Sequence, residues 1–267
     1  MKPHESLRSA GRSDRGPRAR NEDRFFRLSR GGAGVFAVAD GLGGLAGGQV
    51  ASTRAIEAVS SRVPELLAAV ASGTDGAEKS LAALFSEIDA DLRRMGAADP
   101  VLTGLGTTLT VAALAAGRLV FAHVGDSRLY LRSGADPAAP LARLSEDMNL
   151  AMRLVSEGRL DPREYATSPH RARLLAYLGK GGVRPQTGGV TLHSGLDATI
   201  VLATDGLSGP VAEPEIAATL RQAPDPEDAA ESLVRLAVAR GAADNVTVVV
   251  AALGAGRPAP ASATHST

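Results

Sequence analysis

Carboxylates stand beside asparagines or glycines at four points in this chain: Asn21-Glu22-Asp23, Ala39-Asp40-Gly41-Leu42-Gly43-Gly44, Thr204-Asp205-Gly206 and Asp244-Asn245. Asp40 and Asp205 close apolar, strand-like runs, and Asp244 opens one. A carboxylate at a strand end can reach a cation that the strand's buried side chains cannot. Four such turns, drawn from both halves of the chain, are the raw material of an oxygen-only site for hard divalent cations, the kind that activates water for hydrolysis. The absence of cysteine removes thiolate metal sites, disulfides and every cysteine-nucleophile mechanism.

These residues need rigid elements to hold them. Val35 to Ala39 is a short apolar run and predicts a buried strand. Val50, Ile56, Val59, Val63, Leu66, Leu67 and Val70 recur at helical spacing, with Pro64 dividing the run into two helices; Leu81, Leu84, Phe85, Ile88 and Leu92 mark another. Thr107 to Ala113, Leu119 to Val124 and Arg128 to Arg132 are β-prone runs separated by Ala116-Gly117 and Gly125-Asp126, a spacing that predicts antiparallel hairpins. A helix is expected over 146–158, then an irregular glycine-rich insert to Thr191 of the kind that faces substrate. Thr199 to Ala203 reads as a strand, 213–222 and 226–240 as helices, and Val246 to Ala252 as a central strand, apolar on both faces. The expected fold class is α+β: two packed, mostly antiparallel sheets flanked by helices, an αββα sandwich in a single domain over 1–253, with a disordered tail over 254–267.

Lys+Arg 29 balances Asp+Glu 29, so no global field favours nucleic acid or an anionic membrane. No apolar run reaches 18 residues, and the Arg-rich start lacks a signal-peptide core; a soluble, cytoplasmic protein is the expectation, with a monomer the expected state.

Taken in order, Arg18-x-x-Asn21-Glu22-Asp23, Ala39-Asp40-Gly41-x-Gly43-Gly44, Gly106-Thr107-Thr108, Gly125-Asp126-Ser127-Arg128, Thr204-Asp205-Gly206 and Asp244-Asn245 form a series. One Asp-Gly pair is ordinary turn chemistry, but the ordered set resembles the metal-dependent serine/threonine protein phosphatases of the 2C type (the PPM family) in their compact bacterial form, over roughly residues 9 to 252. The resemblance implies hydrolysis of phosphoserine and phosphothreonine in proteins, opposing a Ser/Thr kinase, by a water activated between two Mn²⁺ or Mg²⁺ ions, with no phosphoenzyme. It implies that Asp40 bridges both ions, that the Gly41 carbonyl completes one, and that Asp205 and Asp244 hold the other. Glu22 and Asp23 then bind waters on the metals, Arg18 grips the substrate phosphate, and Asp126 matches a residue of a weaker third metal site. A guanidinium suits that grip because it meets phosphate bidentately.

The chain departs from the family pattern in places. Leu42 stands where many members carry a histidine proposed as general acid, Gly209 where members often have a second aspartate for the third metal, and Met148-Asn149 where His-Ser is more familiar. The acid's role then passes to metal-bound water, or to His170 if the glycine-rich loop folds over, and His123, inside an apolar run, reads as a core histidine. These departures motivate an alternative, a catalytically silent relative that binds phosphoproteins as a signalling scaffold. A phosphatase dedicated to an anti-sigma-factor antagonist is a third possibility.

Overall fold

A computed structural model describes residues 5–43, 47–134, 139–193, 197–223 and 225–255. Gly44 and the stretch from Gly256 to Thr267, which holds most of the expected tail, lie outside the described residues. Ten of the strands form two five-stranded sheets. In the first, β1 (Glu5–Asp14), β12 (Val246–Ala255), β11 (Ala198–Ala203), β8 (Arg128–Ser133) and β9 (Ala142–Arg143) lie side by side in that order. In the second the order is β10 (Gln186–Thr191), β7 (Arg118–Val124), β6 (Leu109–Ala115), β3 (Ala33–Ala39) and β2 (Arg24–Arg30). Every pairing in both is antiparallel. A short two-stranded ladder joins β4 (Gly41–Leu42) to β5 (Gly106–Thr107).

The period-2 alternation of strands sorts side chains into layers. Phe36 and Val38 of β3 meet Leu129, Ile200, Leu202, Val249 and Ala251 between the sheets. Val35, Ala37 and Ala39 point the other way, onto α1 (Gly47–Ser61), α2 (Val63–Ser72) and α3 (Thr74–Ala98). Val248 and Val250 of β12 pack beneath α6 (Glu213–Gln222) and α7 (Pro226–Ala239). The result is the expected αββα sandwich, with Pro64 at the second position of α2 and β12 flanked by strands on both sides. None of the helices among the described residues is long and apolar enough to cross a membrane.

The structure corrects several expectations. β7 and β8 do not form a hairpin: the chain leaves the second sheet at Val124, turns through Gly125-Asp126 and enters the first. The helix expected over 146–158 is only α4 (Leu150–Ser156), because the Asn149 side chain accepts from the Met152 N–H at 2.9 Å and caps it there. The glycine-rich insert ends in β10, an edge strand on β7 that contains Gly188 and Gly189. β1 and β2, too polar to read as strands, close one side of the sandwich. β12 runs on through Gly254 and Ala255, placed in the tail by the sequence reading, and pairs them with Ser6 and Glu5.

Candidate active site

One end of the sandwich gathers the acidic turns. Asp40 follows the last residue of β3, and its backbone is locked on both sides: its N–H donates to Thr108 Oγ1 (3.0 Å), and its carbonyl accepts from Thr107 Oγ1 (2.8 Å) and the Thr108 N–H (2.9 Å). Thr107 and Thr108, from the Gly106-Thr107-Thr108 element, thus fix the backbone beside the site. Gly41 is held against the first turn of α1, where a Cβ would lie 2.2 Å from the Gly48 carbonyl oxygen, so any side chain would push α1 away from Asp40.

Asp205 opens a short helix, α5 (Asp205–Ser208), rather than a simple turn. A Cβ on Gly206 would lie 1.9 Å from the Asn245 carbonyl oxygen, so the glycine lets the Asp205 segment close onto the Asp244 segment. The Asn245 side chain accepts from the Glu22 N–H at 2.8 Å and donates to the carbonyls of Arg15 (2.8 Å) and Arg20 (2.9 Å), clamping the 15–22 loop over the strand ends. Asp23 is buried, and its Oδ2 accepts from Thr204 Oγ1 at 2.8 Å; the Thr247 N–H donates in turn to Thr204 Oγ1 at 3.0 Å. Thr204 and Asn245 thus tie both acidic turns of the C-terminal half to the N-terminal loop. The sequence reading missed these roles, because a threonine at a strand end and an asparagine in a turn are ordinary in those places.

The carboxylates feel one another. Burial raises the Asp40 carboxyl well above the usual range, and Asp23, Asp205, Asp126 and Asp244 add to it. Burial and then Asp205 raise Asp126 in the same way. Asp205 is raised by burial and by Asp244, against the pull of Arg171 and Arg18. Burial lifts Asp23 to about 7 in spite of the hydroxyls it accepts from, and burial also raises Glu22, opposed by Arg18. Acidic groups this close to one another and to a low-dielectric interior hold protons or need positive charge.

Arg18 supplies some of that charge from inside the cluster. Its Nη2 lies 2.6 Å from Asp244 Oδ2, and its Nε donates to the Ala243 carbonyl at 3.1 Å. Asp244 is turned to Arg18, and no three acidic or imidazole side chains among the described residues close on a single point. Even so, the donor set suits a hard cation. Every candidate group is an oxygen, and Asp205 Oδ1 is buried with no hydrogen-bond partner. Gly209, exposed at the end of α5, donates its N–H to the Asp205 carbonyl at 2.7 Å. His170 is exposed in a 3₁₀ turn, Pro169–Ala172; its neighbour Arg171, not singled out by the sequence reading, is the residue whose charge reaches Asp126 and Asp205. His123 is a satisfied core residue.

The chain belongs to the protein phosphatase 2C family, whose sequence model matches residues 10–248. It is 37% identical over 253 residues to the serine/threonine protein phosphatase PstP of Mycobacterium tuberculosis, an alignment covering 92% of this chain and 45% of PstP. The chain therefore spans about half the length of that curated relative. It is 31% identical over 217 residues to the serine/threonine phosphatase stp of Listeria monocytogenes, covering 81% of this chain and 83% of the relative. The crystal structure of the catalytic domain of PstP in complex with two manganese ions superposes with a TM-score of 0.78 at 34% identity, covering 94% of this chain and 99% of that one.

Proposed function

We propose that this protein is a metal-dependent phosphatase that hydrolyses phosphoserine and phosphothreonine in proteins, in the cytoplasm, as a monomer, and in opposition to a Ser/Thr kinase. The observation that carries the reading is the meeting of Asp23, Asp40, Asp126, Asp205 and Asp244 in one electrostatic cluster at the sandwich end, with Asp205 Oδ1 left without a partner. The manganese complex of PstP supports Mn²⁺ or Mg²⁺ as the cations. Asp40, the Gly41 carbonyl, Asp205 and Asp244 are the residues that would hold two of them, with Asp126 available to a weaker third. Bound there, such cations supply Lewis acidity toward a phosphoryl oxygen and a water acidic enough to attack phosphorus at neutral pH.

The chain's own groups do the rest. Glu22 and Asp23, both with raised proton affinity, accept hydrogen bonds from water at the edge of the cluster. Arg18, exposed and tethered through Nε to the Ala243 carbonyl, exchanges Asp244 for the phosphate of the substrate, where its planar guanidinium makes two parallel hydrogen bonds. That exchange frees Asp244 for a cation. With no cysteine in the chain, direct attack by water is the route that remains simplest. Turnover of p-nitrophenyl phosphate in Mn²⁺ tests the reading: chelation should abolish it, and Asp205→Asn should lower kcat by about 10²–10³-fold, the scale for losing one preorganised electrostatic group. Turnover indifferent to both would reject it.

A further inference from the structure

The chain is neutral overall, yet residues 8 to 30 carry eight arginines against three acidic residues. The fold gathers that excess on one side of the sandwich. β1 and β2 are the outermost strands of the two sheets on that side, and they meet: the Leu7 N–H donates to the Gly31 carbonyl at 3.0 Å, and Arg27 Nη1 to the Ser9 carbonyl at 3.0 Å. Arg8, Arg15, Arg27 and Arg30 are exposed on this edge. Among the described residues, the guanidiniums of Arg8 and Arg30 have no ion pair, and those of Arg15 and Arg27 hydrogen-bond only to backbone carbonyls. Arg12 and Arg18, by contrast, are matched by Glu227 and Asp244.

The edge begins at the acidic cluster. Arg24 is the first residue of β2 and pairs with Ala39, the residue before Asp40. At about 3.3 Å per residue, Arg27 stands ~10 Å and Arg30 ~20 Å further along the strand. Arg27 and Arg30, three apart, lie on opposite faces of β2, as their neighbours Phe25 and Phe26 do. An extended peptide along this edge advances and alternates at the same rate, so its residues three and six positions from one seated at the cluster come level with Arg27 and Arg30 on those two faces.

Building on the phosphatase reading above, we infer that this β1–β2 edge is a specificity surface that favours phosphoproteins with acidic residues, aspartate, glutamate or a further phosphoresidue, about three and six positions to one side of the residue being hydrolysed. The occupant is a peptide rather than a nucleic acid. The aromatic rings on these two strands, Phe25 and Phe26, pack into the cores and offer no base-stacking platform, and the positive edge abuts a carboxylate cluster that would repel a long polyanion.

The test compares phosphothreonine peptides that are neutral throughout with peptides carrying glutamate at the third and sixth positions, on the N-terminal or the C-terminal side. For the unaltered protein in Mn²⁺, one acidic peptide should exceed the neutral one about fivefold in kcat/KM, as expected for two exposed ion pairs, and the ratio should fall toward one as salt is raised. In R27A/R30A the ratio should collapse to about one, and in R27E/R30E it should invert. Because the ratio is taken within each variant, a general change in turnover does not affect it. Equal kcat/KM for all peptides, with p-nitrophenyl phosphate still hydrolysed, overturns the inference and leaves the phosphatase reading intact. No turnover of any substrate defeats both. Flat peptide ratios together with Arg27- and Arg30-dependent binding of a single-stranded RNA probe would assign the edge to nucleic acid instead.

Discussion

His123 sits in the middle of β7 with no exposed surface, and its hydrogen bonds fix its state. Nε2 faces the carbonyls of Gly125 and Glu146, each at 3.1 Å; carbonyls only accept, so Nε2 carries the proton and Nδ1 accepts from Thr110 Oγ1 at 2.8 Å. Burial holds the ring neutral and lowers its pKa from 6.5 to about 4. Between those values the unfolded chain takes up a proton that the folded protein refuses, so stability falls as pH drops through 6.5 and the loss levels off below 4. At pH 5 the loss from this one group is about 2 kcal/mol. Urea unfolding of the native protein and His123→Gln, each at pH 7.5 and pH 5.0, should move the gap between them by that amount in favour of the variant; an unchanged gap would mean that His123 titrates normally. The same scale explains which residues sequence alone could pick out. Asp40, Asp205 and Asp244 stand out as members of an ordered series, since a single aspartate in a turn beside an apolar run is ordinary. Thr204 and Asn245 stay hidden because only the closed fold shows that their side chains reach Asp23 and the 15–22 loop. The sequence puts Arg18 forward as a candidate phosphate ligand, and only the fold shows its bond to Asp244.

At the level of elements, the segment between Gly125 and Thr167 is organised by one buried acid. Asp147 takes Arg128 at 2.7–3.2 Å through Nε and Nη2, lies 3.7 Å from Arg143, and receives the Tyr165 hydroxyl from the 3₁₀ turn Pro162–Thr167. Burial pushes its carboxyl up, but the Arg128 hydrogen bonds outweigh that and hold it below the usual range. The side chains of Arg128 and Asp147 are 7% and 1% exposed, so neither can turn to water if the other is lost. Removing one partner of such a pair leaves an uncompensated buried charge and costs about 3–5 kcal/mol, whereas an apolar replacement of both is far cheaper. Chemical denaturation should therefore find Asp147→Asn destabilised by roughly that amount, and Arg128→Met/Asp147→Leu much closer to the native protein. Equal losses in the two would argue that packing, not charge, sets the cost. This network also accounts for the largest misreading of the fold. Two β-prone runs split by Gly125-Asp126 look like a hairpin, and nothing local shows that the chain changes sheets there. The reason is tertiary: a Cβ on Gly125, at φ +114°, would lie 2.5 Å from Thr108, and Arg128, on the first sheet, bonds Asp147 just beyond β9 of that sheet. β1 and β2 were missed because arginines and serines interrupt their few apolar residues, so no clear hydrophobic period shows. The helices and inner strands were legible because their apolar spacing matches the period of the element.

For the whole molecule, cation binding at the acidic cluster, as proposed, would be coupled to folding. Its carboxylates come from the N-terminal loop, the end of β3, the turn between the sheets and the two segments flanking the β11–β12 pair, so they meet only when both sheets have closed; the unfolded chain offers no such site. A cation that binds the folded protein alone stabilises it by RT ln(1 + [L]/Kd), about 2.7 kcal/mol at a hundred times Kd. For a chain of this length, with about 2–4 °C per kcal/mol, Mn²⁺ should raise Tm by roughly 5–10 °C. The pH dependence of that rise has a definite sign. Asp23 has a folded pKa of about 7 against an ordinary 3.8, so its contribution to stability is fully present below 3.8 and is lost as pH climbs through 7, and Asp40 and Asp126, also raised by burial, act in the same direction. On the proposed reading protons and cations would compete for the same cluster, and the Mn²⁺-induced rise in Tm should be larger at pH 8 than at pH 6. Asp205→Asn should remove most of that rise while sparing the protein without added metal, since it relieves repulsion among the carboxylates. Thermal melts of the two proteins at both pH values decide the matter: a rise that ignores pH, or that survives in Asp205→Asn, would put the cation somewhere other than this cluster.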